Sequence, residues 1–178
     1  MSNYENEDSR QKKAIPILLI ITALAVCVAV WALFFRDSGP VLTPDQAPVQ
    51  EEVNAEAIEG DTGEKMESPQ GGGSVSLTFS RDVDIDLSDE TAYLIFANPG
   101  KSNQDMVLQI VVQDTVIVQS GTLKPGNQVT ELKLLDKAAK RLSEGVYEGN
   151  FNVLYYHPET GEKAIVNTVI PITITVNE

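Results

Sequence analysis

Residues 14–35 read AIPILLIITALAVCVAVWALFF, an apolar run without a charge. As a helix rising ~1.5 Å per residue it would span roughly 33 Å, enough for a hydrocarbon core of about 30 Å. The pattern predicts one transmembrane helix over 14–35. Residues 36–73 then lose all periodicity. They hold Pro40, Pro44, Pro48 and Pro69, nine acidic residues and a closing Gly71, Gly72, Gly73, which predicts a disordered linker. From residue 74 to 178 the pattern turns to short alternating or apolar runs at 75–80, 91–98, 105–113, 115–120, 129–135, 146–157 and 163–176. Turn signals separate them, among them Pro99-Gly100 and Pro125-Gly126. DKAAKRL, residues 136–142, predicts a short helical turn with Asp136 as its cap. Pro171 requires an edge or a bulge in the last strand. About seven closely spaced strands predict an all-β antiparallel Greek-key sandwich over 74–178.

The flanks of the apolar run set its direction. Arg10, Lys12 and Lys13 abut its N-terminal end, while an acidic stretch follows Arg36. The positive-inside rule places residues 1–13 in the cytoplasm as a short stub and the β domain outside. The expected location is the plasma membrane, single-pass, with the bilayer as a partner of residues 14–35. Ala25 and Ala29 give a small-xxx-small spacing in the run, a device for weak homo-oligomers.

Charge narrows the partners. The net charge of −13 divides as none on residues 1–35, −7 on 36–73 and −6 on 74–178. No segment is basic, so nucleic-acid binding has no electrostatic footing. Cys27, the single cysteine, lies in the apolar run, so the β domain has no disulfide.

Leu142, Gly145 and Tyr147 match the L-x-x-G-x-Y pattern of a tyrosine corner, in which the tyrosine hydroxyl bonds backbone just upstream. FANPGKSNQDMVLQIVV, then LKPG, then this corner together resemble the single-pass, membrane-anchored extracytoplasmic immunoglobulin-like domain proteins of Gram-positive bacteria. The resemblance covers residues 74–178. It implies an immunoglobulin-like sandwich and a protein-binding role, and no particular activity.

Chemistry is sparse. Asp82, Asp84 and Asp86 alternate with Val83, Ile85 and Leu87, so an extended chain puts the aspartates on one face. They are a weak Ca²⁺ candidate, and more simply a solvated acidic edge strand. His157 is the only histidine, so zinc has no ligand set. No catalytic residue and no cofactor is predicted. The expected function is a non-catalytic adaptor or display module of the cell envelope with a surface-protein partner. The alternative is a structural or accessory subunit of a surface assembly such as a pilus or secretion complex, pairing by strand addition.

Overall fold

Alternation of buried and exposed positions builds a single curled sheet. The computed structural model describes residues 21–26, 42–68, 70 and 72–178. Met1–Gly39 and Pro40–Glu178 form separate units. In the first, residues 21–26 are helical and exposed. Among the described residues no helix is long and apolar enough to cross a membrane. Most of the expected span, and all of Arg10, Lys12 and Lys13, lie outside the described residues.

The second unit contains β1 (Glu56–Ala57), β2 (Thr78–Phe79), β3 (Asp82–Asp86), β4 (Thr91–Asn98), β5 (Asp105–Val112), β6 (Thr115–Gln119), β7 (Asn127–Lys133), β8 (Gly145–Tyr156) and β9 (Lys163–Asn177). A short 3-10 turn, Ala139–Arg141, links β7 to β8. The strand order is β1-β7-β4-β3-β9-β8-β5-β6, with β2 also on β4. Pairing is antiparallel except between β3 and β9. The sheet curls until its far strands meet: Val118 of β6 bridges Leu134 just after β7, and Leu135 N–H donates to Ile117 O at 2.9 Å. Its two halves thus face each other across one core. Phe96 of β4 and Phe151 of β8 touch edge to face there, with ring centroids 5.9 Å apart. Val83, Ile85, Leu108, Ile110, Val153 and Ile174 fill the same core.

Residues 42–68, expected to be a disordered linker, instead form a strap on the sheet. Ala47 N–H donates to Gly161 O (2.9 Å), Lys163 N–H to Asp45 O (3.0 Å) and Ile58 N–H to Gly126 O (2.9 Å). Tyr156 Oη donates to Pro44 O at 3.0 Å, and Gly121 N–H donates to a Glu52 carboxylate oxygen at 2.7 Å. The strap even supplies a strand, β1, against β7. Such ordering comes from backbone groups pairing with loop and strand-end groups, which apolar content does not reveal. Two further expectations are corrected. β3 is no edge, for it pairs with β4 on one side and β9 on the other. The 3-10 turn is entered at Ala138 without a side-chain cap, not at Asp136.

Candidate functional site

The 15-residue β9 outruns its neighbour. On one side β8 pairs with it from Gly145 to Tyr156. On the other, β3 reaches only Thr173 to Asn177. Thr173 N–H donates to Arg81 O at 2.9 Å, closing one end of an open lane, and the Lys163 bond to the strap closes the other. Between them, residues 164–172 have no strand on that side among the described residues. The two-residue period turns the backbone N–H and C=O of Asn167 and Val169 toward the lane, as it does those of Thr173. Pro171 falls in the same set, at a position where a missing N–H costs no sheet bond. Ile165 is fully exposed, and Val166 and Val169 are largely so. The pairs Leu154–Asn167 and Tyr156–Lys163 leave residues 164–166 bulged opposite Tyr155.

A row of amides crosses the sheet and ends at this lane. Gln109 Nε2 on β5 donates to Gln119 Oε1 on β6 at 2.8 Å. Asn152 Nδ2 on β8 donates to Gln109 Oε1 at 2.8 Å and to strap carbonyl Leu42 O at 3.2 Å. Asn167 Nδ2 on β9 donates to Asn152 Oδ1 at 3.0 Å. Gln109 and Asn152 are buried, whereas Asn167 is exposed. The row lies on the sheet face turned away from the core. Leu154, Tyr156 and Val107 share that face and pack with Ala47 of the strap.

The predicted site residues fall elsewhere on the fold. Asp82, Asp84 and Asp86 do share one face of β3, since Val83 and Ile85 point into the core. Asp86 accepts from Ser88 N (2.8 Å) and Ser88 Oγ (2.6 Å). Among the described residues no three acidic, histidine or cysteine side chains are grouped to hold a metal. Asp82 and Glu148 flank Thr173 from either side, at the C-terminal end of the open lane. Near the 3-10 turn, Tyr147 Oη donates to Ser143 O (2.9 Å) and accepts from Ser143 N (3.1 Å). Leu142 is buried in the core beside it. Gly145 begins β8 at φ +147°, a region that favours glycine. His157 is exposed at the β8–β9 turn.

Where the strap meets the β4–β5 loop, Asp61 accepts from Gly100 N (2.5 Å) and Gly63 N (2.8 Å). These two bonds hold its carboxyl below the usual aspartate value. Ile58, Asp61, Ser76, Pro99 and Lys101 line an open cleft there, with no convergent catalytic set. Asp105 is buried at the start of β5, and desolvation raises its pKa despite the nearby Lys124. Burial, with help from Asp45, pushes the Tyr156 phenol up to about 12.

In the sequence Pro171 marks the open edge, whereas the amide row has no local signal beyond Gln109, Asn152 and Asn167, polar residues inside otherwise apolar strands that only the strand order makes neighbours.

No family model and no curated protein matches the chain. Several solved structures align with part of it. The periplasmic chaperone SfaE does so at 12% identity over 58% of this chain and 56% of that one, with a TM-score of 0.36. AggA, the major subunit of aggregative adherence fimbriae type I from Escherichia coli, aligns at 10% identity over 59% and 95%, TM-score 0.29. The CooA pilin subunit from enterotoxigenic Escherichia coli aligns at 15% identity over 59% and 99%, TM-score 0.27. The matched part of the chaperone is little more than half its length.

Proposed function

We propose that this chain is a non-catalytic protein-interaction subunit of a surface assembly, held at a cell membrane by residues 14–35. Its domain is an immunoglobulin-like Greek key outside the cell, and it joins a partner protein by strand addition along β9. One observation carries the reading: residues 164–172 present a strand edge without a neighbour among the described residues, bordered by exposed Ile165, Val166 and Val169. Open, uncharged edges of this kind template the pairing of another chain. The topology supports the fold assignment, because an early strand, β3, runs parallel to the last strand while its neighbour β4 starts the opposite half of the curled sheet.

The test is in-cell photo-crosslinking of the full chain with a photoreactive residue at position 166. The reading expects a discrete protein adduct that disappears with Val169→Pro, a change that removes a lane-facing N–H as Pro171 already does two residues on. An adduct that survives Val169→Pro would overturn it.

A further inference from the structure

We infer that the strand accepted at this lane comes from a partner protein. It carries an amide side chain facing Asn167, apolar side chains two positions to either side, and a lysine or arginine beyond them. This rests on the strand-addition reading above and specifies the partner's chemistry.

The amide follows from the unfinished row. Gln119, Gln109, Asn152 and Asn167 are linked rung by rung, and Asn167 spends one amide hydrogen on Asn152. Its carbonyl oxygen has no partner among the described residues. An added strand would bury that oxygen, and burying an unpaired polar atom is unfavourable. An asparagine or glutamine opposite continues the row, whereas a leucine strands it. The apolar flanks follow from Val169, exposed two residues after Asn167 on the same regular stretch, and from Ile165 and Val166, exposed in the bulge before it. Cross-strand neighbours on one face are the pairs that stabilise a sheet.

The basic ends follow from charge. At the C-terminal end of the lane Asp82 and Glu148 flank Thr173, and Asp84 stands one row on. Arg81 precedes Asp82 in sequence, and none of these carboxylates is ion-paired among the described residues. At the other end Asp45 and Glu162 outnumber Lys163. A second copy of the chain would bring its own −13 to this border and is disfavoured. An uncharged strand with basic ends complements it.

The experiment uses the full chain in detergent micelles and three labelled nine-residue probe peptides, read by fluorescence anisotropy. KTVTNTVTK presents Lys, Val, Asn, Val, Lys on one face in either strand direction. KTVTLTVTK replaces the amide, and ETVTNTVTE reverses the end charges. The inference expects KTVTNTVTK to bind most tightly. The acidic-ended peptide should be weaker by about tenfold at low salt, with the gap closing as salt is added. The leucine-centred peptide should be weaker by about threefold, a preference that Asn167→Leu cancels. Val169→Pro should abolish binding of all three, with an unchanged circular dichroism spectrum. Equal binding of the three peptides that Val169→Pro still abolishes would overturn the inference and leave strand addition standing. No binding by any peptide, or a concentration-dependent dimer that Val169→Pro dissolves, would overturn it as well.

Discussion

Asn167 donates its side-chain amide to Oδ1 of Asn152 at 3.0 Å, and this bond ties the exposed edge strand to the buried middle of the sheet. Asn152 is the hub: it also holds Gln109 and the strap carbonyl of Leu42. Asn152→Ala should therefore cost about 2–3 kcal/mol, because it leaves buried partners unsatisfied. Asn167→Ala, at an exposed end, should cost about 1 kcal/mol or less. The double variant should cost less than the sum, since the two residues share one bond. Urea midpoints of the four proteins give the answer.

The strap is fastened at Gly121. A Cβ there would stand 2.8 Å from the backbone of Gln50, Glu51 and Glu52. Gly121→Ala should lift this stretch and break the bond from Gly121 N–H to Glu52. Limited proteolysis should then cut within residues 45–60 well before the sheet, while the parent protein resists at the same protease dose.

Tyr147→Phe removes both hydroxyl bonds to Ser143 and leaves the ring in place. The expected loss is about 1 kcal/mol, a net value for a partly solvated hydrogen bond. If Tyr147→Phe and the parent protein share one thermal midpoint, the corner contributes nothing.

Asp105 carries a pH signature. Burial raises its native pKa above the ordinary 3.8, against the pull of Lys124 and Lys65 and with the push of Glu51. The folded state thus holds the Asp105 proton more tightly than the unfolded state does. Stability linked to that proton is complete below 3.8 and is lost as pH rises through the native value. Asp105→Asn should be more stable than the parent at about pH 7, with the difference shrinking to nothing at about pH 3. A constant difference across that range would show that Asp105 is not desolvated.

Much of the β architecture was legible because alternation is a local signal. The long strands β8 and β9 fall within a residue of their expected bounds, β9 because burial alternates along its second half and β8 because it is a long aromatic, apolar run buried from Phe151 to Tyr156. Pro171 correctly marked an unpaired edge. The aspartates of β3 misled for a related reason: a solvated face looks the same in sequence whether the strand's edges are paired or free. The strap was illegible because it is held by backbone bonds to residues such as Gly161, Thr122 and Gly126, 70 to 115 positions away or thereabouts, and not by an apolar face. The amide row needed the order β6-β5-β8-β9, which no single strand encodes.

The most direct measurement is residue-resolved hydrogen exchange at the N–H groups of Asn167 and Val169, in the purified full chain and again in native membranes. The account predicts rapid exchange of both in the purified protein, at a rate unlike that of buried Ile170 or Ile172, and strong protection in the membranes where the partner strand is present. Slow exchange in the purified protein, or no added protection in the membranes, would contradict it.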